Sequence, residues 1–158
     1  MLEHTIQVRV RYAETDQMGF VYHANYLPWF EMARVRMLDT LGLPYKQWES
    51  QGVFLPVLEA HLRYRQPAFF DDQLDVRVIQ REKPTVRIRL EYTVTRNGTL
   101  LAEGHTLHAW INRQGRGIRP PDAWRERLDE RFKDAPQGSE HALERSSGND
   151  SMDQTGPR

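Results

Sequence analysis

Residues 25–42, NYLPWFEMARVRMLDTLG, decide the fold, because they predict one long helix that the rest of the chain must cover. Asn25 is suited to cap the helix, Pro28 is tolerated in its first turn, and Gly42 is suited to end it. We therefore predict a helix over about residues 26–41. At 100° per residue, one apolar stripe runs along it. The stripe consists of Leu27, Phe30, Ala33, Met37, Leu38 and Leu41.

Two charged residues lie on or beside this stripe. Arg34 falls in its middle and Glu31 near its edge. Arginine is rarely buried without a partner, and residues three apart are neighbours on a helix surface. The pattern therefore predicts an ion pair between Glu31 and Arg34.

Strand patterns flank the predicted helix on both sides. Alternating apolar and polar residues predict one strand at 6–12 and four more at 57–66, 74–80, 85–95 and 100–111. Asn97-Gly98 predicts a hairpin between the last two strands, since both residues accept a positive φ. The order of the four later strands favours a meander. We predict an α+β domain in which one long helix covers a five-stranded antiparallel sheet.

The remaining segments define the domain limits. Pro44 opens a predicted helical turn, and residues 122–132 predict a short helix after Pro120-Pro121. We predict one folded domain over residues 1–132 and a disordered tail over 133–158, which has almost nothing to bury. A single helix cannot fully cover such a sheet, so oligomerisation is also predicted. Apolar residues expected on its outward face are Leu101, Leu107 and Ile111.

Composition excludes several classes of function. The 22 basic and 22 acidic residues give a net charge of +0, which argues against a broad nucleic-acid-binding surface. The absence of cysteine excludes disulfides, zinc–thiolate sites and a cysteine nucleophile. No segment has the roughly 20 apolar residues that span a bilayer, and no secretory signal is visible. A soluble cytoplasmic protein without an integral membrane segment is the expectation.

Familiar catalytic motifs are missing from the sequence. Ser50 is the one serine before residue 133, and no nucleophile-elbow pattern surrounds it. No glycine-rich phosphate-binding loop is present. His105 and His108 are three apart on a predicted strand, which places them on opposite faces and argues against a metal site.

The loop before the helix concentrates the remaining chemistry. Residues 16–26 hold Asp16, Gly19 and His23 beside the helix entrance. An aspartate with an ordinary pKa of about 3.9 is ionised at neutral pH. Unpaired amides at a helix N-terminus can polarise a carbonyl oxygen. The same residue types also fit an ordinary capping aspartate and a packed histidine. Residue types alone leave both interpretations open.

The motif around this loop favours the catalytic interpretation. Residues 12–34, YAETDQMGFVYHANYLPWFEMAR, closely resemble the 4-hydroxybenzoyl-CoA thioesterase family, and most of all its acyl-CoA thioesterase branch associated with the Tol-Pal system. The spacing of Asp16, Gly19, the run at 23–26 and Glu31-x-x-Arg34 carries the likeness. It continues more weakly through 64–68 and 72–74, covering about residues 4–120.

This resemblance implies a hotdog fold, in which the sheet wraps the long helix, and hydrolysis of an acyl-CoA thioester. It implies homodimers, often paired into homotetramers, with sites at the subunit interface and without a metal or redox cofactor. Asp16 matches the catalytic position, and the backbone N–H of His23 would lie near the thioester, with its side chain implicated in this branch. The substrate-binding residues expected from the motif are Tyr12, Gly19, Tyr22, Asn25 and Tyr26.

Several alternatives stay open. A second branch of the fold places its catalytic acid on the helix, here Glu31, although Arg34 offers that residue a structural role. A non-catalytic acyl-binding or scaffold protein is the rival function, and a hotdog dehydratase is favoured less. The acyl pocket, aromatic or aliphatic, draws on Met18, Phe20, Tyr22, Trp29 and Phe54, although most of them also suit the core. Candidates for the CoA phosphates are Arg63, Arg65, Arg81, Lys83, Arg87, Arg89, Arg113 and Arg116.

Overall fold

One long helix lies against one face of a five-stranded antiparallel sheet in the computed structural model, which describes residues 1–42 and 44–133. The helices are α1 (Tyr26–Thr40), α2 (Tyr45–Ser50) and α3 (Asp122–Lys133), with 3₁₀ turns at Tyr12–Glu14 and His23–Asn25. The strands are β1 (Leu2–Arg9), β2 (Val53–Phe54), β3 (Val57–Tyr64), β4 (Gln73–Gln80), β5 (Arg87–Arg96), β6 (Thr99–Ala109) and β7 (Ile111–Asn112). The predicted α+β class is confirmed. The predicted tail lies outside the described residues from 134 onward.

The strand order of the main sheet is β1-β4-β5-β6-β3. The prediction of a four-strand meander was wrong for β3, which lies at the far edge beside β6 instead of beside β4. β4 pairs with β1 along its whole length, from Leu2 opposite Gln80 to Arg9 opposite Gln73. The chain between β3 and β4 therefore passes from one edge of the sheet towards the other, through Pro67 and a turn at Asp71 with φ 71°.

The predicted helix is confirmed with small differences in its buried face. α1 ends as expected before Gly42, whose φ is +69°. Leu27 is partly exposed, and Trp29 takes a place in the core instead. Asn25 occupies the N-cap position without capping the helix, because its side-chain amide donates to the carbonyl of Glu14 at 2.7 Å.

The predicted ion pair between Glu31 and Arg34 was wrong. Arg34 is buried, and its guanidinium lies 5.4 Å from the ring centre of Tyr45, so a cation–π contact replaces the carboxylate. Glu31 is exposed. Among residues 1–42 and 44–133, Nη1 of Arg34 has no hydrogen-bond partner.

Two strand predictions also need correction. The first strand begins at Leu2 and ends at Arg9, so Tyr12 leaves the sheet and is 78% exposed. Leu101 is fully buried instead of facing outward. A register shift between Val94 and Thr95 in β5 changes which side chains of the facing β6 point inward.

The core joins the helix to the sheet by aromatic stacking. The ring of Phe30 lies parallel to that of Tyr92 at 4.2 Å. Gly104 lies opposite Tyr92 on β6, where an added Cβ would be 2.3 Å from the carbonyl oxygen of His61 and 3.1 Å from the Phe30 ring. The absence of a side chain at this position therefore allows both the β3–β6 pairing and the aromatic stack.

A second aromatic cluster fixes the later helices. The rings of Trp48, Trp110 and Trp124 meet edge to face at 5.0–5.5 Å. These residues come from α2, the segment after β6, and α3. α3 is thus packed into the domain. No helix within the described part of the chain is long and apolar enough to cross a membrane.

A buried polar chain crosses the sheet beneath the helix. Thr106 Oγ1 lies 3.0 Å from the Tyr92 hydroxyl and 2.7 Å from His108 Nε2, and His108 Nδ1 lies 3.3 Å from the carbonyl of Leu55. Burial, and then the charge of Arg34, lower the pKa of His108 to about 4. His108 is therefore neutral in the folded protein near neutral pH.

We expect Gly104→Ala to lower the free energy of unfolding by about 1–3 kcal/mol, because the new methyl group overlaps backbone that cannot move without disturbing β3. Urea unfolding at pH 7 measures the change. Gly117→Ala is the matched control, since its Cβ would make an ordinary contact of 3.9 Å with Val86. An equal effect of both substitutions would contradict the steric explanation.

His108 should make the protein less stable as the pH falls. Between an unfolded pKa of 6.5 and a folded pKa of about 4, the unfolded chain binds a proton that the folded chain does not. The wild-type free energy of unfolding should therefore fall by up to about 1.4 kcal/mol per pH unit in this window from this residue. Urea unfolding at several pH values should show a shallower decline for His108→Gln than for the wild type, and equal slopes would contradict the assignment to His108.

Candidate active site

The carboxylate of Glu14 organises the loop in front of α1. It is buried, and it accepts hydrogen bonds from the backbone N–H of Arg11 at 2.8 Å, the Arg11 guanidinium at 3.1 Å and the Trp29 indole at 3.2 Å. Burial by itself raises the pKa of Glu14, but the bonds from Arg11 and Trp29 outweigh it, so the pKa lies below its ordinary value. Glu14 therefore stays charged within the fold.

The backbone carbonyl of Glu14 fixes the other end of the loop. It accepts the N–H of Tyr22 at 2.9 Å and the side-chain amide of Asn25 at 2.7 Å. Sequence reasoning missed Glu14 altogether. Trp29 was the signal that could have identified it, because the indole N–H needs an acceptor once the ring is buried on a helix.

Asp16 lies in a tight turn held by its own hydrogen bonds. Its backbone N–H donates to Phe20 at 3.0 Å, its carbonyl accepts from Gly19 at 2.9 Å, and its Oδ1 accepts from the Met18 N–H at 2.9 Å. Gly19 has a φ of +82°, a conformation that other residues adopt with strain. The turn thus holds the Asp16 carboxylate in one place without burying it.

Asp16 and His23 line the same cleft, which has a volume of about 430 Å³. Both residues come from the loop, and Tyr26 joins them from the first turn of α1. The opposite wall comes from the end of β3 and the segment after it. The full lining is Asp16, Met18, Phe20, Val21, His23, Tyr26, Tyr64, Arg65, Gln66 and Pro67.

Other residues predicted for the site lie outside this lining. Tyr12 is exposed and packs edge-on against Phe70, with ring centres 5.6 Å apart. Tyr22 lies next to the cleft, with its ring 4.4 Å from that of His23. Gly19 and Asn25 shape the backbone around the cleft without forming its wall.

The competing carboxylate and most of the candidate phosphate ligands are elsewhere. Glu31 lines a separate groove formed by α1 and β1, together with Ile6 and Gln7. Arg65 lies at the Asp16 cleft, paired with Glu103. A groove on the outer face of the sheet contains Arg81, Lys83, Arg87 and Arg89.

Some of the residues predicted for the acyl pocket line the cleft, and others lie in the core. Met18 and Phe20 line the cleft, whereas Trp29 is fully buried in the core. A cleft with apolar walls, a carboxylate and backbone amides at a helix N-terminus can hold an acyl group while its carbonyl carbon is attacked.

The fold places the chain in the hotdog class, an α+β architecture in which a sheet wraps a long helix. Residues 10–138 match the model of the thioesterase-like superfamily, and the chain belongs to that superfamily. Membership and the activities of its relatives support a thioester hydrolase.

Three relatives show the range of similarity. YneP of Bacillus subtilis (strain 168) is 46% identical over 66 residues, which cover 42% of this chain and about half, 48%, of YneP. The acyl-CoA thioester hydrolase YbgC of Escherichia coli O6:H1 is 33% identical over 63% of this chain and 75% of YbgC. The crystal structure of a DHNA-CoA thioesterase from Staphylococcus aureus superposes with a TM-score of 0.80 at 29% identity, covering 84% of this chain and 93% of that one.

We expect Glu14→Gln to lower the free energy of unfolding by about 1–3 kcal/mol, because an amide replaces a carboxylate that accepts three hydrogen bonds from two residues. Urea unfolding at pH 7 measures the change. Glu49→Gln is the matched control, since Glu49 is exposed on α2. Equal stability of wild type and Glu14→Gln would show that this carboxylate does not hold the loop.

Proposed function

We propose that this protein hydrolyses acyl-CoA thioesters to the free acid and coenzyme A, with Asp16 as the nucleophile or general base. The observation that carries the proposal is the placement of Asp16 and His23 in one apolar cleft at the N-terminal end of α1. Relatives named as an acyl-CoA thioester hydrolase and a DHNA-CoA thioesterase support the substrate class.

In the proposed reaction, the carbonyl carbon of the acyl group lies beside the Asp16 carboxylate. Asp16 either attacks it directly, giving an anhydride that water then opens, or removes a proton from an attacking water. The carbon–sulfur bond breaks, and the sulfur of coenzyme A leaves with the bonding electrons and takes up a proton from the water consumed. In the general-base route the water oxygen enters the acid. In the anhydride route water attacks the carboxyl carbon of Asp16, so the water oxygen stays in Asp16 and the acid leaves with an Asp16 oxygen. Both routes form the same products.

The backbone N–H of His23 is the proposed donor to the developing oxyanion. Two nearby amides are already engaged, because the N–H of Tyr22 donates to the carbonyl of Glu14 and the N–H of Asn25 donates to the carbonyl of Tyr22. The His23 side chain, which also lines the cleft, is the second proposed catalytic group. A donor held in position before the reaction stabilises negative charge without having to reorganise.

The finer parts of the proposal rest on the motif at residues 12–34. They are membership of the Tol-Pal-associated branch of the 4-hydroxybenzoyl-CoA thioesterase family, assembly as a homodimer or homotetramer, action in the cytoplasm, and catalysis without a metal or redox cofactor. The proposed substrate-binding residues are Tyr12, Gly19, Tyr22, Asn25 and Tyr26. Rates with short-chain, long-chain and aromatic acyl-CoAs would identify the preferred acyl group.

We expect Asp16→Asn to reduce kcat for acyl-CoA hydrolysis on the order of 10²–10⁴-fold, because the amide is neither a base nor a nucleophile. Thiol release from a panel of acyl-CoAs measures the rate. Glu31→Gln is the matched control, because Glu31 lines a separate groove, and its kcat should stay near wild type.

The opposite pattern, loss of activity in Glu31→Gln alone, would assign catalysis to the helix carboxylate. Tight acyl-CoA binding by the wild type without turnover would favour the non-catalytic acyl-binding function. A single turnover in oxygen-18 water separates the two roles of Asp16. Label in the Asp16 side chain identifies a nucleophile, and label confined to the released acid identifies a general base.

A further inference from the structure

We propose that Tyr64 is a positioning residue of this site, which holds the peptide groups around His23 in the orientation needed to stabilise the oxyanion. This inference rests on the proposed hydrolytic function. Tyr64 is the last residue of β3, and its hydroxyl donates to the backbone carbonyl of His23 at 2.9 Å. The bond joins the edge of the sheet to the 3₁₀ turn from which α1 begins.

Three successive peptide groups around His23 are each held by one hydrogen bond. The peptide before Tyr22 is held through its N–H, which donates to Glu14 at 2.9 Å. The peptide between Tyr22 and His23 is held through its carbonyl, which accepts from Asn25 at 2.9 Å. The peptide after His23 is held by Tyr64. The His23 N–H therefore lies between two fixed neighbours, and Tyr64 supplies the constraint on the helix side.

Glu14 and Tyr64 act on this turn from opposite sides. Glu14 belongs to the loop and is tied to the buried ring of Trp29. Tyr64 belongs to a strand whose register with β6 places it opposite Ala102. Its backbone is held there because the next two amides, of Arg65 and Gln66, both donate to Leu101 at 2.7 and 3.1 Å. Because this end of β3 is held by backbone hydrogen bonds, the Tyr64 hydroxyl can fix the position of the 3₁₀ turn at His23.

The Tyr64 ring has a second, separable contact with the site. It lines the cleft and meets the ring of Tyr26 edge to face at 5.2 Å, while the ring of His23 lies 6.5 Å away. Burial raises the pKa of Tyr64 above its ordinary value of 10.0, so the hydroxyl keeps its proton and remains a donor at neutral and mildly alkaline pH. Removing the hydroxyl and removing the ring should therefore have different effects.

Tyr64→Phe should lower kcat for acyl-CoA hydrolysis by about tenfold to a hundredfold and leave KM within about twofold, because the ring still forms the wall while the oxyanion donor loses its orientation. Tyr64→Leu, which also removes the ring, should raise KM in addition. Tyr45→Phe is the matched control, since the Tyr45 hydroxyl accepts one backbone N–H, from Leu55 at 3.3 Å, away from the cleft. Its kcat and KM should match those of the wild type.

The outcomes separate this inference from the proposed function. An unchanged kcat in Tyr64→Phe, with Asp16→Asn inactive, would overturn the positioning role and leave the hydrolase intact. Unchanged hydrolysis in Asp16→Asn would overturn the proposed site itself. Thermal unfolding of each variant shows whether it is folded at the assay temperature. A fall in kcat shared equally by Tyr64→Phe and Tyr45→Phe would show a general loss of packing and would also overturn the inference.

Discussion

A charged carboxylate inside a protein is costly unless hydrogen bonds replace its water, and Glu14 meets this condition with donors from two separate parts of the chain. Arg11 lies just after β1, before the 3₁₀ turn at Tyr12–Glu14, and Trp29 belongs to the buried face of α1. The same residue also accepts Tyr22 and Asn25 at its carbonyl. The start of the loop, its end and the helix are therefore joined at one residue. The position of Asp16, two residues further on, follows from that junction.

The second constraint is the close approach of β3 to the rest of the sheet. Gly104 allows His61 of β3 to pack against β6 without a side chain between them, and the same gap admits the Phe30 ring onto Tyr92. The helix and the edge strand are thus fixed against each other by one small residue. Because β3 ends at Tyr64, the wall of the cleft opposite Asp16 depends on the same packing. The site is assembled from two elements that the core positions together.

Local patterns in the sequence predicted the elements that local physics controls. The helix before Gly42 and the hairpin at Asn97-Gly98, with φ of 50° and 79°, are confirmed, because turn and cap residues act over a few positions. The place of β3 in the sheet was missed, since it depends on pairing with a strand more than 30 residues later. The partner of Arg34 was missed for the same reason. Spacing along α1 suggested Glu31, but Tyr45 of the next helix provides the contact.

Residue types alone could not predict the candidate site, because two carboxylates lie only two positions apart in the loop. These carboxylates are Glu14 and Asp16, which Thr15 separates in the sequence. Glu14 is buried and its oxygens are occupied by Arg11 and Trp29, so it can neither approach a substrate nor accept a proton easily. Asp16 is half-buried in a cleft with apolar walls, and one N–H contacts its carboxylate, at Oδ1. The proposed chemistry therefore depends on the division of roles that the turn imposes, in which Glu14 holds the loop and the carboxylate of Asp16 lines the cleft.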